Sequence, residues 1–237
     1  PISFTLTQVY AGRIAQSLGA NDSITTDSTA CASSLKVMMD VQNLIWHYKF
    51  DRVIVLSVED GVSNAVLDFF GEAQASLGYK EEKDGILPSA FDSLNYGFRV
   101  AQGAVLAVFE SDRWLDKSGR TPKAQLLGAY TASENCSNAI GQREDGQGFI
   151  NSIKETLEIA NVSRSEVAVV KTHGTGTKSN NMAEKAALEN SLEGFIATSL
   201  KPKIGHTMGV SGLLETCLLL DSMKQGIVPK IENRTEI

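Results

Sequence analysis

Three side chains in this sequence have the types and surroundings for covalent chemistry: Cys31, His173 and His206. Cys31 lies in Asp27-Ser28-Thr29-Ala30-Cys31-Ala32-Ser33-Ser34-Leu35, a polar approach followed by small residues and then a helical apolar pattern. That order places the thiol at or just before a helix N-terminus. Unpaired backbone N–H groups there favour negative charge and are expected to acidify a cysteine. The small neighbours leave room for a substrate carbonyl to approach the sulfur. His173 stands in His-Gly-Thr-Gly-Thr and His206 in Lys-Pro-Lys-Ile-Gly-His, both glycine-bearing settings. A thiolate nucleophile with two imidazoles to handle developing oxyanion charge is the equipment of acyl chemistry.

The other cysteines and the third histidine have plainer surroundings. Cys136 lies in the polar stretch Ser133-Glu134-Asn135-Cys136-Ser137-Asn138, and Cys217 in an apolar helical run; free cysteine is commonly a buried structural residue. His47 follows Leu44-Ile45-Trp46 on a helical pattern with aromatic neighbours, which suits a packing or surface histidine.

The elements that must position these groups can be read from apolar periodicity. Helices are expected over residues 4–18 (stopped by Gly19), 35–48, 147–160, 183–192 and 213–224. Strands are expected over 23–26, 52–58, 104–109, 125–131, 166–171 and 195–198. Alternating strands and helices predict an α/β fold with largely parallel pairing. His173 ends one strand pattern, and active groups commonly stand where a strand of such a sheet gives way to a loop. Residues 71–98 read as a polar, glycine-bearing stretch, with Lys80-Glu81-Glu82-Lys83-Asp84 as a solvated charge cluster. The polar loop 133–148 divides the chain into two α/β halves, about 1–132 and 149–237.

Composition narrows the classes. The chain has 237 residues, 42% of them hydrophobic and 21% charged, with net charge −6, as in an ordinary globular protein. No basic cluster suggests nucleic-acid binding, and no run reaches the roughly eighteen apolar residues of a membrane span. Three scattered cysteines and no signal-peptide pattern suit a reducing, cytoplasmic setting rather than a disulfide framework. No cofactor and no metal are expected. Pro1 and the polar stretch before Ile237 read as cut boundaries rather than natural termini.

Together the motifs resemble the β-ketoacyl synthases of fatty-acid and polyketide assembly, in the thiolase superfamily. Thr-Ala-Cys-Ala-Ser-Ser at 29–34 matches the family's cysteine stretch, and His-Gly-Thr-Gly-Thr at 173–177 matches letter for letter. Lys201-Pro202-Lys203-Ile204-Gly205-His206, followed by Gly209-Val210-Ser211-Gly212, matches its Lys-x-x-Ile-Gly-His and glycine turn. Pro88-Ser89-Ala90-Phe91-Asp92, Gly97-Phe98 and Gln102-Gly103-Ala104 resemble the intervening segments. The matches run in order over almost the whole chain.

The resemblance implies a partial thiolase-like, layered αβαβα fold and a set of roles. Cys31 would accept the acyl group, and His173 and His206 would polarise a thioester carbonyl while a malonyl-type unit loses CO₂. Lys201 would be the family's active-site lysine, and Glu184 falls where the family has its supporting glutamate. Partners would be an acyl carrier protein bearing acyl and malonyl thioesters, and a second copy paired through residues 23–26. Asn181 stands where the family usually has aspartate, and Gln102 where many members have glutamate. The family's domains are much longer, and the opening strand–helix section and closing Gly-Phe-Gly-Gly-type loop have no match here. Two other readings remain: a non-catalytic partner subunit of the same fold, which is expected to lose the cysteine, and a Cys-His thioester hydrolase.

Overall fold

The computed structural model describes residues 7–20, 22–77, 85–94, 96–136 and 141–232. The charge cluster expected at residues 80–84 lies outside the described residues. In chain order the elements are α1 (Thr7–Leu18), α2 (Ser33–Trp46), β1 (Arg52–Glu59), α3 (Asn64–Glu72), β2 (Gly103–Glu110), α4 (Asp112–Ser118), α5 (Gln147–Ala160), β3 (Val169–Lys171), α6 (Lys178–Ser191), β4 (Ile196–Thr198), α7 (Lys201–Ile204) and α8 (Ser211–Lys224). One-turn 3₁₀ helices at Ala30–Ala32 and Met208–Val210 lead into α2 and α8.

β1 and β2 form an antiparallel ribbon, with Arg52 opposite Glu110 and Glu59 opposite Gly103. Strand residues alternate faces. Val53, Val55, Val105, Ala107 and Phe109 therefore point one way, onto the core built around Val41 of α2 and Leu213 of α8. Ile54, Leu56, Val58, Leu106 and Val108 point the other way and are exposed. Both faces of the ribbon are thus aliphatic, the pattern of a strand covered on two sides. The chain exposes 14350 Å², whereas a compact globule of its mass exposes about 10,000 Å².

The starts of α2 and α8 are held together. The Leu213 N–H donates to Ser34 Oγ at 3.1 Å, and a Cβ on Gly212 would lie 2.3 Å from Leu35 Cγ. Only a glycine permits that approach, and through it the segments bearing Cys31 and His206 meet. β3 and β4 pair in parallel, Val169 opposite Ile196, and deliver His173 beyond the end of β3.

The pairing differs from the expectation of a largely parallel arrangement, since the longer pair is antiparallel. Residues 23–26 and 125–131 are not strands. Along 125–131 the Ala129 N–H donates to the Gln42 side chain instead of to a strand, at 2.9 Å. Three helices fall where none was expected: the single turn α7, and the longer α3 and α4. The latter had visible signals: Ser111 caps it by accepting from the Trp114 N–H at 3.2 Å, and Gly119 ends it in the left-handed conformation.

Candidate active site

The sulfur is presented by a tight turn. Ala30 has φ 48°, and Ser33 Oγ ties the turn by accepting from the Thr29 N–H at 2.8 Å and donating to the Ala30 carbonyl at 2.6 Å. Cys31 is half-buried in the 3₁₀ turn immediately before α2. The expected acidification is not what the surroundings produce. Burial pushes the thiol above its ordinary value and the Glu59 charge adds to this, outweighing the downward pull of Lys201 and of the cysteine's own N–H.

His206 Nε2 lies 3.1 Å from Cys31 Sγ. Its Nδ1 lies 2.8 Å from Ser211 Oγ, which in turn lies 3.2 Å from Thr207 Oγ1. The histidine is 1% exposed. Its backbone is bracketed by the strand-like segment 99–101, donating to the Arg99 carbonyl at 2.8 Å and accepting from the Ala101 N–H at 3.0 Å. The Phe98 ring meets the imidazole edge-on, 4.7 Å between centroids. The His173 ring stands nearly perpendicular to that of His206, centroids 5.4 Å apart. Cys31, His173 and His206 therefore converge.

Both imidazoles are held neutral. Burial, then Lys201, then other nearby cations push their basicity well below the ordinary histidine range. Each can then donate one N–H to an oxyanion, or accept one proton, without carrying charge itself.

Glu184 and Lys201 have separate environments. The Glu184 carboxylate accepts from the backbone N–H groups of His173 and Gly174 and from Asn180 Nδ2, so it moulds the loop that carries His173. Lys201, 2% exposed, pairs instead with Glu215, Nζ to Oε1 at 2.7 Å. The other Glu215 oxygen takes Lys171 Nζ at 2.9 Å. Burial first, then Lys171, lowers the Lys201 ammonium to about 8 against the opposing pull of Glu215. As pH rises through that value Lys201 discharges, and its pull on the Cys31 thiol is lost.

Sequence reasoning missed Glu215, Lys171, Ser211 and Phe98. Glu215 had a signal: it is a single acid within the apolar run Leu213–Leu220, where burial of a charge requires a partner. The two departures are placed as well. Asn181 Oδ1 accepts from the Phe91 N–H at 3.1 Å while its Nδ2 donates to the Asp92 carbonyl at 3.4 Å, a pairing that uses both ends of an amide. Gln102 is exposed immediately before β2.

A cavity of about 230 Å³ opens beside this cluster, lined by Cys31, Lys171, His173 and Lys201 together with apolar residues including Leu35 and Phe149. Gly176, in the His173 loop, has φ 74°, and a Cβ there would lie 2.5 Å from the Ser89 carbonyl oxygen. Gly176→Ala is expected to cost about 1–3 kcal/mol from the left-handed backbone alone, with more from the clash, read as a fall in the thermal midpoint. Among the described residues no group of three or more His, Cys, Asp and Glu could hold a metal ion, and no helix is long and apolar enough to cross a membrane.

Comparison with known proteins extends these observations. The N-terminal domain of β-ketoacyl synthase matches residues 1–113, and the C-terminal domain of β-ketoacyl synthase matches residues 123–235. The oxytetracycline polyketide putative β-ketoacyl synthase 1 of Streptomyces rimosus is 26% identical over 213 residues, covering 88% of this chain and 50% of its own. A β-ketoacyl synthase from Burkholderia phymatum shares the fold with TM-score 0.86 at 24% identity, covering 97% of this chain and 55% of its own. So does a ketosynthase solved with its type II PKS acyl-carrier protein and bound to the hexaketide, TM-score 0.84 at 24% identity, over 92% of this chain and 54% of that one. The chain thus has part of the layered thiolase-like α/β fold, and it spans about half the length of the curated relatives it matches. One matching domain contains Cys31 and the other contains His173, Lys201 and His206; with both running in order through nearly all its residues, the chain belongs to the β-ketoacyl synthase family.

Proposed function

We propose that this chain carries the condensing centre of a β-ketoacyl synthase, an acyltransferase joining a Cys31-bound acyl group to a malonyl-type unit. The observation that carries the reading is the 3.1 Å approach of His206 Nε2 to Cys31 Sγ with the His173 ring beside it. In the first half-reaction Cys31 Sγ attacks the acyl thioester carbon. The new S–C bond forms, the bond to the carrier sulfur breaks, and the thiol proton passes by way of His206 to the departing carrier thiolate. In the second, the malonyl C–C bond breaks to release CO₂, and its electron pair becomes an enolate whose oxygen receives N–H bonds from the neutral histidines. The enolate carbon attacks the Cys31 acyl carbon, the C–S bond breaks, and the thiolate returns.

An acyl carrier protein is the proposed donor of both thioesters, supported by the neighbour solved with one. The name of the Streptomyces rimosus relative favours a polyketide pathway over fatty-acid synthesis. A reducing cytoplasmic compartment would keep Cys31 as a free thiol. The two halves, about 1–132 and 149–237, would each bring part of the centre to the α2–α8 contact.

Mass spectrometry after incubation with an acyl thioester tests the reading. A stable adduct on Cys31 is expected. Rapid turnover to free acid would point to a hydrolase, and no adduct to a non-catalytic partner subunit.

A homodimer is also proposed, paired through residues 23–26, which are exposed and take no strand partner from the chain's own described residues. Thr25→Pro removes a pairing N–H there. Light scattering on the complete domain should show the wild-type dimer and a monomeric variant; a dimer indifferent to this proline would overturn the placement.

A further inference from the structure

Glu59 closes β1 at the point where the two turns of the site pack against each other. Its Oε2 accepts the Gly209 N–H at 3.3 Å, within the turn that follows His206. A Cβ built on Gly209 would lie 3.5 Å from each of three atoms: Glu59 Oε2, the Ala30 carbonyl oxygen and Ser33 Oγ. The carboxylate, the cysteine turn and the histidine turn therefore meet around one glycine. Glu59 is half-buried, and no described lysine, arginine or histidine forms a salt bridge with it. An acid kept beside a nucleophilic sulfur without a cation of its own acts on that sulfur's ionisation.

We propose that Glu59 is a positioning residue of the site: its bond to the Gly209 N–H seats the turn after His206 where that turn packs on the one bearing Cys31, and its charge acts on the sulfur. The proposal rests on Cys31 being the nucleophile. The titratable groups around this sulfur are His206 and His173, Lys201 of α7 and Glu59 of β1, with Lys171 of β3 lining the same cavity. Burial, the largest influence, keeps the proton on; Lys201 and then the cysteine's own N–H draw it off, and the Glu59 charge adds a smaller push to keep it. The resting site thus holds a protonated thiol whose proton has an acceptor at His206 once an acyl carbonyl is in place.

The test is alkylation of Cys31 by iodoacetamide, followed by peptide mass spectrometry across the neutral and alkaline range. Glu59→Gln keeps an oxygen for the Gly209 N–H and removes the charge. Its Cys31 should react about threefold faster at neutral pH, the effect of roughly half a pH unit in the midpoint. Glu59→Asp keeps the charge and shortens the reach, so its midpoint should stay near wild type while its thermal midpoint falls. A Glu59→Gln profile superimposed on wild type, or a Glu59→Asp midpoint displaced as far as that of the amide, would overturn the proposal and leave the nucleophile standing. A wild-type Cys31 that alkylates at no pH, while Cys136 does, would overturn both.

Discussion

Cys31→Ala is expected to abolish acyl transfer, by on the order of 10⁴-fold or more, because it removes the sulfur that meets His206 Nε2 and is proposed to take the acyl group. Decarboxylation of a malonyl thioester should survive in part, since the histidines proposed to receive the enolate oxygen remain. His206→Ala should do the reverse, lowering decarboxylation by about 10²–10³-fold while some slow acylation of Cys31 continues. The pair separates the half-reactions: carbon dioxide release and the mass of the Cys31 peptide are followed in each variant of the complete domain. Equal loss of both activities in both variants would refute the division of labour.

The second large effect is on stability. Glu215 is fully buried, and each of its oxygens holds a lysine ammonium, Lys201 at 2.7 Å and Lys171 at 2.9 Å. Truncation leaves two cations in the interior without their shared counter-ion. Breaking a buried pair from one side costs about 3–5 kcal/mol, so Glu215→Ala is expected to lower the urea midpoint by a large fraction of the molecule's whole stability. Glu215→Gln keeps the oxygen acceptor and the volume while losing the charge, and should be less damaging. An alanine variant with unchanged urea unfolding would show that the lysines discharge or find water at no cost.

How much of this was legible in the sequence depended on distance along the chain. Cys31, His173 and His206 each sit in a short motif whose glycines and small residues announce a special backbone, and these three converge. Glu184 was placed by the family resemblance, and its bonds to the His173 and Gly174 N–H groups are local ones. Glu215 and Lys171 were not legible, because their partners lie across the fold rather than in the same motif. The acidity of Cys31 was misjudged for the same reason: the helix start is local and visible, while the burial that outweighs it is assembled from distant residues. Apolar alternation identified β1 and β2 and could not give their direction, since a strand carries the same face pattern in either orientation. For residues 125–131 it gave a strand where the backbone bonds to a side chain of α2 instead.

The contact between Cys31 and His206 joins residues 175 apart in sequence. Closing so long a loop costs chain entropy that is recovered only when α2 and α8 dock, and contacts of this range form late in folding. On a ribosome the sulfur emerges well before the imidazole proposed to take its proton. During that interval Cys31 lacks the His206 acceptor through which its proton would pass in the proposed acyl transfer. The Cys31–His206 pair is therefore complete only once α8 has docked on α2, so the sulfur and its proposed proton acceptor come together as a product of tertiary assembly rather than of either motif alone.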